Sequence, residues 1–185
     1  MCGIICVLSR PTRRATPTSK EIIELLDRAI SQGAESKIDG LSKLVAQADE
    51  LLRGDAGQFC LADNHQLVAA MTSRLDQLDA VVTGYEQAIE HSAEVQTATS
   101  ELALQQIISA KDALWELRND RIRTARLVDA LAGQGASNAA RSGYFSIQQA
   151  FSGIDRLEVR GRDSAGVHVL VWGHGLKADD KNIKS

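Results

Sequence analysis

Aromatic side chains make up only 4% of this 185-residue chain, and there are just two prolines. A β-sandwich or barrel draws heavily on aromatic and β-branched residues, so their scarcity beside abundant alanine and leucine favours helices. Cysteine is equally sparse. Cys2, Cys6 and Cys60 are odd in number and have no framework spacing, which excludes a disulfide scaffold and fits a reducing cytoplasm. With His65 they form no close pair of the kind structural zinc needs, so no metal is expected, and His168 and His174 are too few and too far apart to define a site. No cofactor is expected either. Neither sign of charge dominates: 21 basic and 24 acidic residues are interspersed and leave a net charge of -3, which points away from nucleic acid and anionic membranes as partners. No apolar run could span a bilayer, and the N-terminus lacks the basic, apolar and cleavage regions of a signal peptide.

What is present is mostly helical periodicity. Thr18 and Glu21 have capping-box spacing ahead of Ile22, Leu25, Leu26, Ala29 and Ile30, which predicts a helix stopping at Gly33. Leu41, Leu44, Val45, Ala48, Leu51 and Leu52 predict a second helix ending at Gly54, with a break over 55–64. Leu67, Met71, Leu75, Leu78, Val82, Tyr85 and Ile89 are spaced three or four apart, a heptad-like seam. A fourth helical region runs from about Thr97 to Ala132, and a turn near His91–Ser100 would fold it into an antiparallel hairpin with the third. In that region Trp115 is expected to pack. Arg118, Arg121, Arg123 and Arg126, interleaved with Asp112, Glu116, Asp120 and Asp129, read as a solvated face. Residues 133–143 are small and polar, a linker by composition. Ile147, Ala150, Phe151, Ile154 and Leu157 mark a further amphipathic helix.

The two ends read differently. Residues Met1–Leu8 are apolar enough for a short buried strand, broken by a loop with Pro11 and Pro17. Val167, Val169 and Val171 alternate in a second strand, Val167–Trp172. Cys2 is followed by a small residue, so removal of Met1 would free an α-amine with an unperturbed pKa of about 8. That amine can serve as general base, through water, for its own thiol. The second notable segment is Arg156-Leu157-Glu158-Val159-Arg160-Gly161-Arg162-Asp163-Ser164-Ala165-Gly166, between helix and strand.

Together, Met-Cys-Gly-Ile at the start and Arg-Gly-x-Asp-Ser-Ala-Gly before a strand resemble the class II glutamine amidotransferases, which are N-terminal-nucleophile hydrolases. The form is most similar to the glutaminase domain of glutamine–fructose-6-phosphate aminotransferases, with the amidophosphoribosyltransferases as the nearest alternative. The resemblance implies an α+β chain, predominantly helical, in which a partial N-terminal-nucleophile hydrolase sheet is interrupted by a helical-bundle insert. It divides the chain into a first strand (1–10), the insert (11–143), a helix–turn–strand (144–176) and a polar tail (177–185). It makes Cys2 nucleophile and general base and sets Arg160 and Asp163 beside it, ordering the turn. For Asp163 and Ser164, capping of the turn is an equal reading; Gly161 and Gly166 serve backbone conformation. It implies glutamine as substrate and, on a second domain, a sugar phosphate as ammonia acceptor. Oligomeric state is left open.

The departures are specific. Cys6 stands where the family commonly has glycine, Val159 where it has an aromatic, and Arg162 where it has tyrosine or glutamine. The chain contains no Asn-Gly pair for an oxyanion hole and no His-Thr-Arg segment to hold the glutamine carboxylate. An N-terminal fragment, inactive alone, is the resulting expectation. The alternative is a helical binding or scaffolding module with degenerate ends.

Overall fold

The computed structural model describes residues 4–91, 98–157 and 166–173. Helices account for nearly all regular structure: α1 Ser19–Ala34, α2 Ile38–Leu51, α3 Gly54–Leu61, α4 His65–His91, α5 Ala98–Glu116, a π-helical turn Leu117–Ile122, α6 Arg123–Ala132 and α7 Asn138–Leu157. The predominantly helical expectation holds. No strand occurs among the described residues: 4–10 and 166–173 form no ladder, so the two expected strands are not paired there.

Four helices make a bundle. α1 packs on α2, α2 on α5, α5 on α4 and α4 on α1, closing a ring. α2 and α4 therefore lie at opposite corners, and α3 carries the chain across the end of the bundle. Arg74 of α4 meets Asp27 of α1 at 2.6 Å and Tyr85 donates to the Gly33 carbonyl at 3.1 Å, so α1 and α4 run parallel. Lys111 reaches Glu86 at 2.6 Å while Arg118 reaches Asp76 at 2.9 Å, so α4 and α5 run antiparallel, as a hairpin requires. The residues of the turn itself, 92–97, lie outside the described ones.

The seam residues Leu67, Met71, Leu75, Leu78 and Val82 are all buried, in one cluster with Ile22, Leu26, Leu41, Val45, Ile107, Leu114 and Leu117. α1 starts as its sequence dictates: Thr18 Oγ1 accepts from the Glu21 backbone N–H at 3.2 Å, and the Thr18 N–H donates to the Glu21 carboxylate at 2.7 Å. That backbone donor holds the Glu21 carboxyl below its ordinary range.

The helix ends depart from expectation for steric reasons. Gly33 does not stop α1. It is buried inside the helix, where an added Cβ would lie 2.9 Å from Val81 and 3.0 Å from Leu41. The stop comes at Ser36, which adopts φ 63, with its N–H on the Gly33 carbonyl and the Lys37 N–H on that of Gln32, a Schellman pattern. The break expected over 55–64 contains α3, whose Gly57 lies so close to the Leu52 carbonyl that a Cβ would sit 1.9 Å from it. In the linker, Gly133 and Gly135 take left-handed φ values, but helix resumes at Asn138. α7 packs on α3 and α6.

Candidate functional site

The N-terminal segment and α7 are the parts closest to the chemistry-bearing motifs. Residues 4–18 are tied to the helices at several points. Arg14 donates to the last carbonyls of α2, those of Glu50 at 2.9 Å and Leu51 at 2.8 Å, groups that a helix end otherwise leaves unpaired. Pro17 is buried. Ser9 Oγ lies 3.4 Å from Ser142 Oγ, and Ser142 in turn donates to Asp55 at 2.8 Å. Ile5 sits against Gly153: a Cβ built there would lie 2.6 Å from Ile5 Cδ1. As sequence number rises along this segment it falls along α7, so the two run antiparallel.

Of the residues singled out by the motifs, Cys2, Arg160, Gly161, Asp163 and Ser164 lie outside the described residues. Gly166 is exposed, has open space around its Cβ position, and its φ lies outside the left-handed region. Val167, Val169 and Val171 are about half to two-thirds exposed, at 47%, 51% and 66%. Cys6 is exposed. Cys60 is buried, and burial followed by the nearby Glu21 charge pushes its thiol up to about 11.

Two polar networks were not anticipated. The first centres on Asp49, whose side chain is only 2% exposed. Its Oδ1 accepts from Arg121 Nε at 2.9 Å; its Oδ2 accepts from Arg121 Nη2 at 3.1 Å and from Arg53 Nε at 3.0 Å. Arg118, on the same π turn, donates to Asp76 and Asp79 of α4, each at 2.9 Å. The arginines expected to form a solvated face therefore divide: Arg118 and Arg121 clamp the turn to α4 and α2, while Arg123 and Arg126 are exposed. The second network joins α3, α6 and α7. Asp63, at φ 51, accepts from the Gly135 N–H at 3.2 Å and from Arg141. The Asp63 N–H donates to Asp129 at 3.1 Å. Arg141 Nε lies 3.3 Å from Asp129, an ion-pair distance without hydrogen-bond geometry, and the Arg141 side chain is 9% exposed. The Gly135 N–H, then Arg141, hold the Asp63 carboxyl below its ordinary range.

Sequence signals for the first network were available. Leu117 and Ile122 are buried five apart, one more than an α-helix allows on a face, which is the mark of a π turn. Asp49 falls beside Val45 and Leu52 on an apolar face, an improper place for a carboxylate without a partner. Trp115, expected to pack, is 54% exposed, in line with exposed Leu104 and Ile108 on α5.

A cleft of about 420 Å³ lies between the start of α4 and α6; its lining is apolar apart from His65, Arg126 and Asp129. Among the described residues no group of His, Cys, Asp and Glu could hold a metal ion, and no helix is long and apolar enough to cross a membrane. Compared with known proteins, the chain matches no family model, no curated protein and no solved structure.

Proposed function

We propose that the chain is the N-terminal part of a glutamine amidotransferase that hydrolyses glutamine to glutamate and ammonia for amino-sugar (glucosamine 6-phosphate) synthesis. Once Met1 is removed, the Cys2 amine takes the thiol proton through a water. The thiolate attacks the carboxamide carbon of glutamine, ammonia leaves, and water hydrolyses the thioester to glutamate. Arg160 and Asp163 order the turn beside the nucleophile. The sheet of the N-terminal-nucleophile hydrolases is part of this proposal, with Met1–Leu8 and Val167–Trp172 as two of its strands.

The observation that carries the reading, beside the paired motifs, is the course of residues 4–9 along α7. Ile5, three residues after Cys2, lies at Gly153, and α7 leads directly into the Arg160 segment. Three residues of chain reach about 10 Å, so both motif-bearing segments extend from the neighbourhood of one end of α7. The exposed valines at 167, 169 and 171 are those of a strand former without a ladder partner among the described residues. The oxyanion hole and the carboxylate clamp are not recognisable in the sequence. Loss of one such donor alone costs about 3 kcal/mol in the barrier, so the 185 residues should not turn over glutamine by themselves.

The test is ammonia release from glutamine by the purified 185-residue chain beside a longer chain that supplies an Asn-Gly segment and a carboxylate clamp downstream. Release by the longer chain alone, abolished by Cys2→Ala with the fold intact, is the expected result. No release by either would sink the proposal. One observation favours the rival, a helical binding or scaffolding module: Leu104, Ile108 and Trp115 form an exposed apolar line on α5. That reading gains if ammonia release is absent from both chains.

A further inference from the structure

The Ile5–Gly153 contact has a geometry that only glycine permits without adjustment. Ser142, Ser146, Ala150 and Gly153 recur four, four and three residues apart, a period that puts them on one face of α7. All four are small, and all are half-buried. The eleven residues from Ser142 to Gly153 rise about 16 Å along the helix. The four from Ser9 to Ile5 span about 13 Å when extended. The two lengths match closely enough for one segment to lie along the other and be held at both ends, by the serine pair at one and by Ile5 at the other. At Gly153 the opposing atoms are all from Ile5: Cδ1 at 2.6 Å, Cγ2 at 3.3 Å and Cγ1 at 3.5 Å from a built Cβ. Not every glycine within a helix is so constrained, and Gly143, on α7 itself, has open space at its Cβ position. Gly84 of α4 has no atom within 4 Å of its Cβ position.

We infer that α7 is a docking rail for the N-terminal segment, that Gly153 is the notch seating Ile5, and that this pair positions Cys2. The first two parts stand on the contacts alone; the third rests on the amidotransferase reading. Gly153 and Ile5 touch no substrate in this account. They act through the chain, by limiting where a thiol three residues upstream of Ile5 can lie.

The chemistry of the contact supplies its own test. Gly153→Ala adds a methyl group where Ile5 Cδ1 stands, and Ile5→Val removes that carbon, so the pair should compensate. Docking is read by oxidative cross-linking between thiols introduced by Ser9→Cys and Ser142→Cys, with Cys2 and Cys6 replaced by serine. The disulfide is expected to form readily in that background and severalfold more slowly with Gly153→Ala. Adding Ile5→Val should restore the rate, and Gly84→Ala should leave it unchanged. Equal cross-linking with and without Gly153→Ala, or no recovery with Ile5→Val, overturns the notch. Positioning is read in the longer, Met1-processed chain with its cysteines intact: Gly153→Ala should lower kcat for ammonia release severalfold at unchanged KM for glutamine, and Ile5→Val should rescue it. Altered cross-linking with unaltered kcat overturns positioning and leaves the amidotransferase reading intact. A parent chain that releases no ammonia overturns both that reading and the positioning of a nucleophile, while the cross-linking result for the rail stands.

Discussion

Replacing Asp49 with alanine removes both oxygens that receive the Arg121 guanidinium and leaves that cation between α2 and the π turn. The Arg121 side chain is only 15% exposed, so water replaces the lost acceptor poorly. Breaking a buried pair by removing one partner costs about 3–5 kcal/mol, most of it the penalty of an uncompensated charge. For a chain of this size each kcal/mol shifts Tm by about 2–4 °C, so Asp49→Ala should melt roughly 10 °C below the parent. Arg53 contributes to the same carboxylate from a half-exposed position, and Arg53→Ala should cost no more than about 1 kcal/mol. The decisive comparison is the double variant Asp49→Leu with Arg121→Met. It withdraws both charges together and should recover about 2 kcal/mol or more over Asp49→Ala. The assay is urea unfolding followed by far-ultraviolet circular dichroism, with the slope checked for constancy across variants. If Asp49→Ala loses under 1 kcal/mol, or the double variant is no better than Asp49→Ala, the carboxylate does not join α2 to the π turn as described.

Leu75, fully buried in the bundle seam, should lose about 2–5 kcal/mol on replacement by alanine; unchanged urea stability would place that seam in solvent. Gly57→Ala drives a methyl group into the Leu52 carbonyl and should cost about 3 kcal/mol or more, whereas Gly84→Ala, in open space within α4, should gain about 0.5–1 kcal/mol. Thermal melts that rank these two the other way would contradict the close approach of α3 to the end of α2. Asp63 has a depressed carboxyl pKa in the folded chain, so the stability it contributes is present above its unfolded value of about 3.9 and is lost as pH falls through the folded one. Asp63→Asn should lower stability at pH 7 and flatten its decline in acid; parallel pH curves for parent and variant would show that the carboxylate adds nothing.

The bundle was legible because its signals are local and redundant. Thr18 and Glu21 place the start of α1 by a reciprocal hydrogen bond that needs no tertiary partner. The Leu67–Ile89 seam repeats often enough to survive any single exception. The glycines misled because glycine has two uses that sequence does not distinguish: a left-handed turn, as at Gly133, and a close approach, as at Gly33 and Gly57. α3 was missed for the same reason, being eight residues that include two glycines. The arginines between 118 and 126 looked alike in sequence, and only the positions of Asp49, Asp76 and Asp79 on other helices separate the clamped from the solvated. As for the candidate site, the residues singled out by the motifs, other than Gly166, lie beyond the described residues. Gly153 gave no signal, because the residue it accommodates is about 150 positions away in the chain.

The π turn has a bearing on how the helical rod it interrupts is read as a ruler. From Ala98 to Ala132 the backbone stays helical, yet the turn inserts the equivalent of one extra residue, worth about 100° of rotation. α5 faces α2 and α4, whereas α6 faces α7. A straight α-helix carrying the same residues would give its second half the wrong azimuth for α7. Deleting Asn119, an apparently harmless polar residue, would therefore act as a phase error, leaving Leu117 and everything before it in place while turning Ala125 and Val128 off their neighbours. Alignments or grafts that treat this stretch as uniform helix would mispair every position after Ile122, and a single-residue gap in that window should be read as a change of direction for the C-terminal third of the molecule.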